Sequence, residues 1–187
     1  MCKIRAFEEN ANELYLSRKM PGLTHLYIGE EAVAVGVCEA LRRDDYITST
    51  HRGHGHCLAK GAQVDRMFAE LLGAEAGLTP LARAVPCILP TADGQSGRQC
   101  DRYGSAGIAT GAGLSIKMRQ SDQVAVCFFG DGAMGQGLFL RVGQYGTTME
   151  ASVIYVCENN QYGEYTCTSE AAASHLYRVA QAFAFFR

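Results

Sequence analysis

Two apolar runs, each followed by a polar cluster, constrain the fold of this chain most. The run VAVCFF, residues 124–129, ends at the sequence GDG, which contains Asp131. The run VIYVC, residues 153–157, ends at the sequence ENN, which contains Asn160. Short apolar runs bounded by turn residues are typical of strands buried in a parallel sheet. The residues between them suffice for a crossover helix, so the pattern predicts a βαβ unit and an α/β fold.

The polar clusters at the two strand ends predict a binding site. In a parallel sheet with a right-handed crossover, the carboxyl ends of neighbouring strands meet at one edge, where ligands bind. The carboxylate of Asp131 and the amide oxygen of Asn160 are hard oxygen ligands, suited to Mg²⁺ that also holds phosphate oxygens. Gly130 and Gly132 would let the backbone approach a diphosphate, with donors from the following helix N-terminus.

The rest of the chain predicts further helices and one more strand. Apolar spacing predicts helices over 1–16, 30–43, 63–72 and 106–119, and a short strand over 46–50 that runs into a Gly- and His-rich loop. Residues 77–103 show no clear period and contain three prolines. That segment is therefore expected to be irregular.

Charge and hydropathy exclude several classes of protein. The formal net charge is −2 and the isoelectric point is about 6.2. The chain therefore has no overall positive potential that would attract nucleic acid or an anionic membrane. No apolar run approaches the length of a bilayer span, and the first residues lack the apolar core of a signal peptide. We expect a soluble, cytoplasmic protein without nucleic-acid or membrane partners.

Several motifs have competing interpretations. His51, His54 and His56 could form a metal site, but no carboxylate or cysteine partner is evident, and a cofactor loop is preferred. The runs GSAG and GIATGAG could suggest a dinucleotide fingerprint, although tight helix packing is favoured. Glu30 and Glu31 could serve acid–base chemistry, or could complement a helix dipole.

No CxxC spacing occurs, and cysteines within the apolar runs are expected to be core residues.

The combined motifs resemble one enzyme family. The sequence GDGAMGQG through ENNQYG resembles the thiamine diphosphate and Mg²⁺ motif. Residues 20–61 resemble the alpha subunit of the 2-oxo acid and acetoin dehydrogenases, and the likeness extends over 1–76, 104–139 and 152–170. The resemblance implies a thiamine diphosphate-binding fold, a parallel sheet with helices on both faces, with residues 1–187 as a partial domain that is incomplete at the C-terminus.

The resemblance also implies site residues. Asp131, Asn160 and the backbone carbonyl of Tyr162 would ligate Mg²⁺. The residues expected near the cofactor's diphosphate are Gly130, Gly132, Ala133, His51 and Arg52. No catalytic residue is assigned.

In this family the cofactor lies between an alpha and a beta subunit, so the resemblance implies half of an active site in a heterotetramer. The cofactor would cleave acetoin or decarboxylate a 2-oxo acid such as pyruvate, and the acyl unit would pass to a lipoyl acyltransferase. The segments HLYIGEEA and ENNQYGEYT favour acetoin as the substrate. Two alternatives remain open: a non-catalytic remnant that contacts a beta subunit, and a single-chain thiamine enzyme.

Two segments, 77–103 and 140–151, depart from the family pattern. Codon degeneracy permits family-like readings of 83–91, 95–102 and 140–152 in shifted frames, and the shifted frame would supply tryptophan, which this chain lacks. The segments are therefore interpreted as local frame shifts. Gly143 and Gly146 should weaken the helix that joins the two strands, so we expect that helix to be frayed and dehydrogenase activity to be low.

Overall fold

The computed structural model of the chain describes residues 1–78, 88–89, 104–172 and 174–182. Most of the predicted irregular segment 77–103 lies outside these residues, as do Cys87 and Cys100. The chain divides into two compact units. The first unit contains residues 1–45 and 51–99, and the second contains residues 46–50 and 100–187.

The described elements are eight α-helices, six strands and one 3-10 helix. The longest helices, α1 and α5, have 15 residues each, and none in the described ranges is long and apolar enough to cross a membrane. The helices are α1 (Cys2–Leu16), α2 (Glu31–Glu39), α3 (His54–Ala59), α4 (Val64–Leu71), α5 (Gly104–Met118), α6 (Gly137–Thr148), α7 (Thr168–Ala171) and α8 (Leu176–Ala182). The strands are β1 (Tyr46–Thr48), β2 (Ile88–Leu89), β3 (Ala125–Gly130), β4 (Val153–Glu158), β5 (Tyr162–Gly163) and β6 (Thr166–Cys167), and the 3-10 helix spans Asp131–Gly135.

The first unit is a helical cluster around an apolar core. Phe7 of α1, Ala34 of α2, Cys57 of α3 and Met67 of α4 are all buried in it. The predicted helices over 1–16 and 63–72 are confirmed, whereas the helix predicted over 30–43 ends at Glu39. The Gly- and His-rich segment, predicted as a loop, forms α3 instead.

The second unit contains the predicted parallel sheet. Strands β1, β3 and β4 lie in that order and are parallel, with Ala125 opposite both Tyr46 and Val153. Strand β3 has a neighbour on each side, and its residues 125–129 are buried throughout. At the carboxyl end Gly130 lies opposite Glu158, so the residues that follow each strand leave the sheet side by side. The predicted α/β class with a parallel sheet is confirmed.

Helix α5 approaches the sheet closely through a glycine. A Cβ at Gly113 would lie 3.0 Å from the backbone of Ser152, whose N–H donates a hydrogen bond of 3.2 Å to the Gly113 carbonyl. The interpretation of the GIATGAG run as tight helix packing is confirmed at Gly113, whereas Gly107 and Gly111 are exposed.

The helix between β3 and β4 is intact, so the expected fraying was wrong. Helix α6 runs without a break from Gly137 to Thr148, and it buries both Gly143 and Gly146. A Cβ at Gly146 would lie 2.7 Å from the Tyr155 hydroxyl of β4. At Gly146 the propensity cost of about 1 kcal/mol is offset because the missing side chain lets the helix pack close to the sheet.

Candidate cofactor and metal site

Asp131 is placed by β3 at the sheet edge. It begins the 3-10 helix Asp131–Gly135 and is only 2% exposed. Its Oδ2 accepts a hydrogen bond from the Thr168 hydroxyl. Its Oδ1 is buried and has no hydrogen-bond partner among the described residues. A buried carboxylate oxygen without a donor is costly, so this atom is suited to a cation or a further donor.

Asn160 follows the neighbouring strand β4. It is exposed, and its Oδ1 accepts a hydrogen bond of 3.0 Å from the Tyr162 N–H, an arrangement that turns the backbone. An amide oxygen carries two lone pairs, so this bond leaves capacity for a second interaction. Tyr162 then begins the hairpin of β5 and β6, in which Tyr162 pairs with Cys167.

The loop after β3 and the hairpin approach each other through glycines. A Cβ at Gly132 would lie 3.5 Å from the Cα of Gly163. Gly132 is exposed, whereas Gly130 and Ala133 are half-buried. The predicted residues Gly130, Asp131, Gly132 and Ala133 therefore lie next to the hairpin that follows Asn160.

The surroundings of Asp131 are acidic. Glu158, at the end of β4, is buried at 3% exposure. Burial, and then the charges of Asp131 and Glu158, raise the pKa of the Cys157 thiol to about 12. The same negative potential that disfavours a thiolate at Cys157 attracts a cation to this edge of the sheet.

His51 and Arg52 belong to the first unit, whereas Asp131 and Asn160 belong to the second. His51 is exposed, and its ring lies edge-on to His25 with centroids 4.6 Å apart. Arg52 is half-buried, and its Nη1 donates a hydrogen bond of 2.6 Å to the Leu26 carbonyl. Their predicted contact with a diphosphate stays a prediction.

The other two histidines of the HRGHGH segment lie in buried pairs. His54 Nδ1 lies 3.0 Å from Glu8 Oε1, and His56 Nε2 lies 3.1 Å from the Tyr27 hydroxyl. Across the described ranges, no group of three or more His, Cys, Asp or Glu side chains could hold a metal ion. The structure therefore gives no support to a histidine metal site in α3.

Glu31 is engaged in an ion pair. Its Oε1 accepts a hydrogen bond of 2.6 Å from Arg5, and its Oε2 accepts one of 3.0 Å from the Gly29 N–H. The Arg5 hydrogen bond is the main cause that lowers the Glu31 pKa to about 2. A carboxylate with so low a pKa is a poor proton acceptor near neutral pH, so the acid–base interpretation is not supported. Glu30 precedes α2 as its N-cap residue.

The donor set fits Mg²⁺. It comprises the unpartnered carboxylate oxygen of Asp131, the amide oxygen of Asn160 and the backbone carbonyl of Tyr162, all hard oxygen atoms. Gly132 is exposed and has no side chain, so its backbone could approach a diphosphate. Sequence reasoning missed Thr168, because nothing in the chain near Asp131 indicates a partner 37 residues later.

Known proteins resemble this chain over most of its length. The family described as "Dehydrogenase E1 component" matches residues 1–185. The alpha subunit of the acetoin:2,6-dichlorophenolindophenol oxidoreductase of Bacillus subtilis is 44% identical over 173 residues, covering 92% of this chain and 52% of the relative. The corresponding subunit of Cupriavidus necator is 37% identical over 177 residues, covering 95% of this chain and 53% of the relative.

A pyruvate dehydrogenase subunit is also similar. The E1 component subunit alpha of Rhizobium meliloti is 35% identical over 186 residues, covering 92% of this chain and 50% of that protein. The chain thus spans about half the length of the curated relatives it matches. Because the family match extends over nearly all of its residues, this chain belongs to the dehydrogenase E1 component family.

Proposed function

We propose that this chain binds the diphosphate of thiamine diphosphate through Mg²⁺ and acts as the alpha subunit of a thiamine-dependent dehydrogenase component. The observation that carries the proposal is the buried, unpartnered Oδ1 of Asp131 beside the strand end that bears Asn160. A buried acceptor without a donor is satisfied when a cation binds. Family membership supports the identity of the cofactor.

The protein's own residues would hold and orient the cofactor. Asp131, Asn160 and the Tyr162 carbonyl would ligate Mg²⁺, and the backbone of Gly132 and Ala133 would lie against the diphosphate. Bound thiamine diphosphate supplies a nucleophilic carbon that adds to a substrate carbonyl. Because β3 and β4 are hydrogen-bonded neighbours, the sheet would hold the two strand ends that precede Asp131 and Asn160 side by side before the metal binds.

His51 and Arg52 are proposed as further contacts to the diphosphate. A guanidinium is planar and can form two parallel hydrogen bonds to phosphate oxygens. The bond from Arg52 to the Leu26 carbonyl holds this side chain in one direction. A held guanidinium loses less conformational entropy when an anion binds.

The substrate is proposed to be acetoin or a 2-oxo acid such as pyruvate. The names of the B. subtilis and R. meliloti relatives support these two classes. Both relatives are alpha subunits, which supports a beta subunit as partner. A lipoyl acyltransferase of the same complex is proposed as the acceptor of the acyl unit.

Calorimetry of cofactor binding tests the proposal. The purified chain, mixed with a beta subunit, is titrated with thiamine diphosphate in the presence and absence of Mg²⁺, and Asp131→Ala serves as the variant. We expect binding that requires Mg²⁺ and that the variant loses, because one hard ligand and its charge are removed. Retained affinity in Asp131→Ala would refute the metal assignment.

Turnover is a separate question from binding. Assay of the chain with a beta subunit on acetoin and on pyruvate distinguishes an active subunit from a non-catalytic chain that only binds cofactor. The enzyme proposal predicts oxidation of one of the two substrates. Cofactor binding without turnover would favour the non-catalytic alternative.

A further inference from the structure

Thr168 connects the two parts of the proposed metal site. Its backbone N–H donates a hydrogen bond of 2.9 Å to the Gln161 carbonyl, which closes the segment that contains the β5–β6 hairpin. Its hydroxyl donates to Asp131 Oδ2. One residue therefore holds both the segment after Asn160 and the carboxylate that follows β3.

The hydrogen bond selects which oxygen of Asp131 is available. Oδ2 is occupied by Thr168, whereas Oδ1 is buried without a partner among the described residues. A carboxylate can rotate about its terminal torsion, and a hydrogen bond to one oxygen fixes its plane. The oxygen that remains is then presented in a defined direction.

Core packing does not account for this contact. Helix α7, which begins at Thr168, buries none of its residues, and Ser169 and Glu170 are exposed. The described polar contacts of Thr168 are those to Gln161, to Asp131 and to the helix it begins. Its hydroxyl therefore serves the carboxylate rather than an apolar core.

We infer that Thr168 is a positioning residue, which orients Asp131 so that Oδ1 faces the metal and which ties the Asn160 segment to it. This inference rests on the proposed function. Partners that orient metal ligands typically contribute about 10- to 100-fold to metal affinity. Thr168→Val keeps the shape of the side chain and removes the donor, whereas Thr168→Ser keeps the donor.

The test is a titration of the full chain, mixed with a beta subunit, with Mn²⁺ as a paramagnetic substitute for Mg²⁺, in the presence of thiamine diphosphate, followed by electron paramagnetic resonance. We expect Thr168→Val to bind Mn²⁺ about tenfold more weakly and Thr168→Ser to remain within about threefold of the wild type. Thr166→Val, an exposed threonine in the same hairpin, is the matched control. Thermal unfolding of each variant without metal shows whether the fold is retained.

Each outcome decides between the inference and the proposed function. If Asp131→Asn loses Mn²⁺ while Thr168→Val binds as the wild type does, the metal site stands and the positioning role is wrong. Tighter binding by Thr168→Val would also overturn the role, because it would show that the hydroxyl competes with the metal. If the wild type binds no Mn²⁺, both the proposed function and the inference fail.

Discussion

Glu8 and His54 face each other in the core of the first unit, with His54 Nδ1 3.0 Å from Oε1 and 3.2 Å from Oε2 of Glu8. Glu8 is fully buried, and His54 is 3% exposed. Both residues also lie beside Phe7, whose ring meets the His54 ring edge-on. The pair joins α1 to α3 and thereby stabilises a helix that contains one glycine and two histidines.

Glu8→Ala should destabilise the chain. The substitution leaves the His54 nitrogen buried without its partner, which typically costs about 1–3 kcal/mol. Urea denaturation measures the free energy of unfolding. Glu13→Ala, an exposed position on the same helix, should change it by less than about 0.5 kcal/mol. Equal effects of the two substitutions would show that the buried pair contributes nothing to stability.

Gly146→Ala should also destabilise the chain. The added Cβ would lie 2.7 Å from the Tyr155 hydroxyl, which is itself held 2.5 Å from the Thr110 hydroxyl. Forcing atoms into such a contact costs about 1–3 kcal/mol. The free energy of unfolding should therefore fall, in contrast to the usual gain from Gly to Ala within a helix.

Two controls separate crowding from helix propensity at Gly146. Gly111 of α5 is exposed, with no described atom within 4 Å of an added Cβ, so Gly111→Ala should stabilise by about 0.5–1 kcal/mol. In a Tyr155→Phe background the obstructing hydroxyl is gone, so Gly146→Ala should cost less. An unchanged cost in that background would refute the crowding explanation.

The two strands that precede the proposed metal ligands were predictable because their signals are local. The runs that became β3 and β4 are continuous and apolar, and each ends at turn residues, so the neighbouring positions of Asp131 and Asn160 follow from parallel pairing. The geometry of one sheet edge needed no information from distant parts of the chain.

Helix α3 and Thr168 were not predictable for the opposite reason. The partners of His54 and His56 lie 46 and 29 residues away, and local propensity disfavours a helix in HGHCLA. Thr168 reaches Asp131 across 37 residues. The integrity of α6 was mispredicted because the cost of a glycine was counted without its packing against Tyr155.

The cysteines should differ sharply in reactivity. Burial raises the pKa of the Cys127 thiol to about 11, and burial with the charges of Asp131 and Glu158 raises that of Cys157 to about 12. Thiolate is the reactive form, so alkylation with iodoacetamide at about pH 8 should modify exposed Cys2 first and leave these two intact. Mass spectrometry of peptides measures the order in which the three thiols are alkylated. Added denaturant should make Cys2, Cys127 and Cys157 all reactive. Rapid modification of Cys157 in the folded chain would contradict its raised pKa.

The Arg5–Glu31 pair should make stability depend on pH in the acidic range. The Arg5 hydrogen bond, assisted by the Gly29 N–H, lowers the Glu31 pKa in the folded chain from its ordinary 4.5 to about 2. The pKa of Glu31 is lower in the folded chain than in the unfolded chain, so the ion pair makes its full contribution to the stability of the fold above pH 4.5. This contribution is lost as the pH falls from 4.5 towards 2.

Arg5→Met should remove most of that dependence. Chemical denaturation at several pH values compares the variant with the wild type, and their difference in unfolding free energy should shrink as the pH falls below about 4.5. The Arg5 side chain is 46% exposed, so added salt should reduce the same difference at neutral pH. Lys3→Met, an exposed cation on the same helix, should show neither effect. A pH profile that is identical in Arg5→Met and the wild type would mean that the ion pair does not couple Glu31 to folding.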